Sequence, residues 1–205
     1  MELKSYIDKK GKPFWIPGAS RRDLPGLFKD LGFKKGVEIG VSWGENIVDY
    51  CEAGLEIYGI DPWQDSRDNT YKKIISIKGG RTIDEVYEIA KGRTKDYPNC
   101  HLIKKLSMDA LDDFPDRSLD FVYIDGNHGF GYVAMDLEQW SRKVRKGGII
   151  AGHDYYSTEG VRVVRHVGDA VDAFVKSFDF ENFWVLGTKE DFKDRDLSYF
   201  MIKKW

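Results

Sequence analysis

The chain has 205 residues, 41% hydrophobic and 32% charged, with a formal net charge of −2. That length supports one domain, 1–205, with its own core, and the balanced charge gives no reason to expect nucleic acid or an anionic membrane as partner. The opening "MELKSYIDKKGK" lacks a secretory h-region, no apolar run reaches membrane-spanning length, and Cys51 and Cys100 have no CxxC or Cys/His neighbourhood; a cytoplasmic protein with reduced thiols and no zinc is expected.

Residues 1–33 read as an N-terminal extension that ends in a helix, "RRDLPGLFKDLG". A first strand, "GVEIGV" (36–41), runs into a helix, "GENIVDYCEAG", which closes on Gly54 as helices often do. The next strand is "EIYGID" (56–61). Residues 62–81, "PWQDSRDNTYKKIISIKGGR", then break the rhythm: polar and Lys-rich, they read as a lid over a ligand or as a solvated loop. A helix, "TIDEVYEIAKGR", precedes "HLIKKL" (101–106), and "DFVYID" (120–125) follows. In "GYVAMDLEQWSRKV", Val133, Leu137 and Trp140 fall at helical spacing. "GIIAGH" (148–153) and the helix "VRVVRHVGDAVDAFVKSF" come next, then "FWVLG" (183–187) and "YFMIKK" (199–204).

Strands rich in Val, Ile, Leu and Tyr alternate with amphipathic helices, as in a parallel sheet covered on both faces. The fold predicted is α/β, a doubly wound, mostly parallel sheet of seven strands. The last two runs read as a hairpin that adds one antiparallel edge strand.

In such a sheet, ligands bind beyond the carboxyl ends of the strands, near the point where strand order reverses. Five places qualify. In "VEIGVSWGEN", Glu38, Gly40 and Gly44 form an E-x-G-x-x-x-G pattern in which Gly40 permits a tight turn and close approach of a ligand. It is not G-x-G-x-x-G, and Trp43 is bulky where a pyrophosphate loop wants little, which disfavours NAD or FAD. Asp61 ends the second strand, where a carboxylate can accept from a ribose diol; with the first motif it points to an adenosine-type ligand. Ser107 and Met108 follow the third strand, where they suit an adenine edge and face, or equally a helix cap. Asp125 ends the fourth strand, with His128 three residues on. His153 and Asp154 end the fifth. Neighbouring strands bring Asp125 and Asp154 together, and two carboxylates in a dry cleft need protons, hydrogen bonds or a cation. With a histidine they make a hard donor set that suits Mg²⁺ or Mn²⁺; the alternative is capping and cofactor orientation without metal.

The segments "GVEIGVSWGEN", "IYGID", "KKLSMDAL", "DFVYIDGNHGFGYVAMDLEQW" and "VRKGGIIAGHDY" together resemble class I S-adenosylmethionine-dependent methyltransferases. The branch they are most similar to contains the metal-dependent macrolide-sugar O-methyltransferases and cephalosporin-hydroxylase-like proteins; catechol-type enzymes are more distant. The likeness covers residues 34–157 and is most specific in the "IDG-x-H … D-L … GG-x-x-x-x-HD" series.

The resemblance implies that Glu38, Gly40, Gly44, Asp61, Ser107, Met108 and Asp125 hold S-adenosylmethionine. It implies Asp125, His153 and Asp154 as ligands of a divalent cation, and His128 as general base beside a catalytic Asp125. His153 departs from the catechol-type pattern, which has a carboxylate there. The activity implied is O-methylation of a small hydroxylated acceptor such as a sugar, assisted by Mg²⁺ or Mn²⁺. Two alternatives stand beside it: a metal-independent methyltransferase of the same fold, and a non-catalytic cofactor- or carbohydrate-binding protein. His101 and His166 read as structural or exposed, "SRKVRKGG" complements a helix end, and assembly into a homo-oligomer stays open.

Overall fold

Period-two alternation lets one strand feed two cores. In the strand Leu119–Ile124, Phe121 and Tyr123 point to one face and Val122 and Ile124 to the other, and all four are buried. The computed structural model describes residues 1–64, 81–157, 165–188 and 196–205. Its strands are β1 (Phe14–Ile16), β2 (Lys35–Ile39), β3 (Glu56–Asp61), β4 (Cys100–Lys104), β5 (Leu119–Ile124), β6 (Val144–Ser157), β7 (Trp184–Leu186) and β8 (Asp196–Ile202). Its helices are α1 (Leu24–Asp30), α2 (Glu45–Glu52), α3 (Ile83–Thr94), α4 (Phe130–Lys143) and α5 (Arg165–Ser177).

The helices divide between the faces. Leu27 and Phe28 of α1, Ile47 and Tyr50 of α2 and Val86 and Ala90 of α3 build one core. Val133, Leu137 and Trp140 of α4 and Val167, Val171 and Phe174 of α5 build the other. This is the doubly wound arrangement that the alternation of strand and helix predicts. The capping box of α3 is complete, with Thr82 and Glu85 each accepting the other's backbone N–H.

The strand order is β1-β7-β8-β6-β5-β2-β3-β4. The sheet therefore has eight strands, not the expected seven. The extra one, β1, pairs in parallel with β7 through Phe14↔Trp184 and Ile16↔Leu186. The antiparallel strand also sits elsewhere than expected: β8 lies between β6 and β7 and is antiparallel to both. The N-terminal segment pairs with the outer side of β7, so the hairpin lies inside the sheet and the short β1 forms its edge.

Strand order reverses at β2, which pairs with β3 on one side and β5 on the other. The turn beyond β2 is cramped. Gly40 has φ +87, and a Cβ there would run into the carbonyl oxygen of Asp125. The proposed lid at 62–81 falls mostly outside the described residues. No helix among the described residues is long and apolar enough to cross a membrane.

Candidate active site

Of the residues expected at a cofactor, Glu38, Gly40 and Asp125 line a cleft over the switch point, whereas Gly44, Asp61, Ser107 and Met108 are not among its lining residues. Arg21, Glu38, Ser42, Trp43, Asn46 and Asp125 form its walls. Glu38, the penultimate residue of β2, is 1% exposed. Its Oε1 accepts from Asn46 Nδ2 at 2.9 Å, while Oε2 is buried with no hydrogen-bond partner. Burial dominates its chemistry and pushes its pKa from 4.5 to about 8. An acceptor this costly to bury suits a cationic donor, and the ammonium of a methionine moiety is one. The chain's own residues therefore fit the cofactor at this point.

Asp61 is 2% exposed and binds protein first. Its two oxygens accept from the backbone N–H groups of Ser42, at 2.9 Å, and Trp63, at 2.8 Å. Trp63 Nε1 in turn donates to Ser42 O at 3.0 Å. The turns after β2 and β3 are thus stitched together. Both Ser42 (φ 49) and Trp63 (φ 39) hold left-handed backbone, which is costly for a bulky residue.

Beyond β4, Ser107 makes a hydrogen bond with Asp136 of α4, and Met108 packs on the second core. Asp136 is 4% exposed, and burial raises its pKa to about 6 against the opposing Ser107 bond.

The strongest cluster lies beyond the end of β5 and beside an irregularity in β6, which continues to Ser157 instead of ending at His153 and Asp154 as expected. His128 Nε2 sits 2.9 Å from Asp154 Oδ2 and 3.5 Å from Asp125 Oδ1. Burial lowers the imidazole pKa, but hydrogen bonds and charge from Asp125 and Asp154 outweigh it and lift the value to about 10. Burial also opposes ionisation of Asp154, yet its contact with His128 holds that carboxyl below the ordinary range. Asp154 has φ 59, a left-handed conformation that Asp tolerates better than most residues.

Asp125, His128 and Asp154 each offer a ligand atom within 4.8 Å of the others. His153, Asp154 and Asp196 do the same on the other side. The triad expected from sequence, Asp125 with His153 and Asp154, is divided between these two groups. His153 Nδ1 pairs with Ser198 Oγ at 2.8 Å, which turns the ring toward β8. Oxygen and imidazole donors at this spacing suit a hard divalent cation.

Four residues here escape a reading of the sequence: Arg21, Asn46, Asp136 and Asp196. Only Asp136 leaves a signal, a carboxylate on the apolar stripe of Val133, Leu137 and Trp140. His101, by contrast, is half-buried away from this cluster, where it stacks on Tyr58.

A larger cavity of about 310 Å³ lies away from this cluster, lined by Lys12, Tyr155, Asp172 and Phe183. Tyr155 donates to Asp172 at 2.9 Å and packs on Phe183, so it is a wall of that second core.

Comparison with known proteins agrees with the geometry. A protein of Sinorhizobium fredii, y4gI, whose function is uncharacterised, is 26% identical over 125 residues. That match covers 58% of this chain and 13% of the relative, so the chain spans about an eighth of its length. An O-methyltransferase from Bacillus cereus, solved with SAH, superposes with a TM-score of 0.62 at 12% identity, covering 98% of this chain and 86% of that one. The N-methyltransferase NodS from Bradyrhizobium japonicum superposes with a TM-score of 0.60 at 11% identity, covering 90% and 95%. At these identities the likeness speaks for the fold, and it does not choose between oxygen and nitrogen chemistry. The methyltransferase-domain family model matches residues 37–155, more than half of the chain and every strand that carries the cleft, and the chain belongs to that family of S-adenosylmethionine-dependent enzymes.

Proposed function

We propose that the protein transfers the methyl group of S-adenosylmethionine to a hydroxyl of a small acceptor, such as a sugar, beside a divalent cation. One observation carries the reading. Asp125 lines the cleft with Glu38 and also stands in the cluster with His128 and Asp154. Donor and acceptor sites therefore adjoin at one carboxylate.

The cofactor supplies an activated methyl, and a divalent cation supplies the Lewis acidity that makes a hydroxyl easier to ionise. The chain does the rest. Glu38 and Asp61 position the cofactor, which converts methyl transfer into an aligned, nearly unimolecular event. Asp125 and Asp154 would hold the cation. His128 takes the hydroxyl proton. A cation held by Asp125 and Asp154 would offset the carboxylate charge that raises the His128 pKa, leaving the imidazole freer to accept a proton.

The test is calorimetry with S-adenosylhomocysteine, followed by methyl transfer to a panel of hydroxylated acceptors with Mg²⁺ or Mn²⁺. Failure to bind at millimolar ligand removes the reading.

A second reading is a metal-independent methyltransferase. It draws on His128, which in its charged form already bridges both carboxylates. Activity that survives EDTA would favour it.

A further inference from the structure

We infer that Cys51 and Cys100 form a thiol pair that hydrogen peroxide oxidises to an intramolecular disulfide, a reversible covalent clasp between α2 and β4.

The two cysteines are far apart in sequence and meet through packing. Cys51 sits in the last turn of α2, and Cys100 is the first residue of β4. Asn99, just before β4, donates through its side-chain amide to Cys51 O at 3.0 Å and to Leu55 O at 2.8 Å. These bonds fix the start of β4 against the end of α2. Both cysteines are free, and both face the core that α1, α2 and α3 build. Their side chains hydrogen-bond each other. Thiols held in contact by two ordered elements need little backbone movement to join.

Their environments differ in the way the chemistry needs. Cys51 is 4% exposed, and its S–H donates to Ile47 O at 3.2 Å inside α2. Cys100 is only half-buried, so a small oxidant can reach it. The bond from Cys51 holds the Cys100 thiol below its ordinary pKa against the opposing effect of burial, and Thr94 adds to it. The same contact, together with burial, pushes the Cys51 thiol up. Cys100 is therefore the thiolate that reacts first, and Cys51 the thiol that resolves it.

The Cys100 sulfur attacks one peroxide oxygen; the O–O bond breaks, and the departing hydroxide takes a proton and leaves as water. Cys100 is then a sulfenic acid. As Cys51 gives up its proton, its sulfur attacks the Cys100 sulfur, the S–S bond forms, the S–O bond breaks and a second water leaves. The two thiols lose two electrons and two protons, and hydrogen peroxide is reduced to two waters. Exchange with a small dithiol restores both cysteines.

The test treats the reduced full chain with a small excess of hydrogen peroxide and titrates thiols after denaturation. Both thiols should disappear, the intact mass should fall by two hydrogen atoms, and the product should run as a single chain on a non-reducing gel. The clasp closes a loop that runs through β3 and α3, so the Tm should rise by about 5–10 °C, and dithiothreitol should reverse every change. Cys51→Ser should instead gain oxygen on Cys100 and show no rise in Tm. Cys100→Ser should keep its remaining thiol under the same treatment. If the wild type gains oxygen atoms in place of losing hydrogens, or links chain to chain, the inference fails. It fails equally if both thiols survive peroxide that oxidises free cysteine in the same tube, or if the disulfide forms and lowers the Tm.

Discussion

His128 Nε2 lies 2.9 Å from Asp154 Oδ2, an ion pair that joins β6 to the turn after β5. The pair makes the acid–base chemistry of the cluster a property of the fold as well as of the reaction. The sign follows from the shifts. His128 holds its proton more tightly folded, at about 10, than at its ordinary 6.5. Its contribution to stability is therefore complete below pH 6.5 and is lost as pH rises through 10. Asp154 is shifted the other way, so its share is present above 3.8 and is lost as pH falls through its lower folded value. Thermal melts of the cation-free protein should fall between pH 6.5 and 10, and His128→Asn should flatten that descent. In assays with an acceptor, the same variant should lose about 10²- to 10⁴-fold in kcat. Its affinity for S-adenosylhomocysteine should hold.

Glu38 makes a second, separable pH signature. Its carboxyl ionises near 8 in the folded chain and near 4.5 when unfolded. The folded state thus holds the extra proton between those values, and stability falls as pH climbs across that window. Glu38→Gln should remove this slope and leave the His128 one. A ligand ammonium favours the ionised form, so binding of S-adenosylhomocysteine at neutral pH should release a proton. Calorimetry in buffers of different ionisation enthalpy reads that release directly; enthalpies that do not depend on the buffer would count against the pairing.

The two possible groups of cation ligands share Asp154, and Mn²⁺ titration separates them. Asp154→Asn should cost about tenfold or more in Mn²⁺ affinity whichever group is used. Asp125→Asn should cost as much if the cation sits between β5 and β6, as proposed. Asp196→Asn should then leave the affinity within a few-fold. The reverse pattern would move the cation to the His153 side and detach it from the cofactor cleft.

Two glycines give opposite expectations on stability. Gly40→Ala places a Cβ against the Asp125 carbonyl on backbone at φ +87. It should cost about 3 kcal/mol or more and can yield insoluble protein. Gly92→Ala, within α3, meets nothing within 4 Å. It should stabilise by roughly 0.5–1 kcal/mol, measured by denaturant unfolding.

The strand–helix rhythm was legible because buried parallel strands write continuous apolar runs, and "DFVYID" and "GGIIAG" are such runs. β1 was not, because three residues carry no period and its partner β7 lies 170 residues along the chain (184 − 14). The position of β8 was illegible for a related reason: a hairpin's local pattern does not say which of its strands meets the sheet. At the site, Glu38, Asp61, Asp125, His128 and Asp154 could be found because each lies near or just beyond the carboxyl-terminal part of a strand, where the fold places ligands. The division of the Asp125, His153 and Asp154 triad could not, since it depends on the ring direction that Ser198 imposes on His153. Arg21 was hidden because the N-terminal segment reaches the cleft through tertiary packing that no short motif encodes.

The stitch that Asp61 makes between Ser42 and Trp63 has an entropic consequence. Both turns are ordered by the protein's own hydrogen bonds before any nucleoside arrives. The loss of backbone freedom in these turns belongs to folding and is not charged again on association. Replacing this carboxylate should therefore register twice, as a lower melting temperature in the free protein and as a slower, more entropically opposed capture of the cofactor.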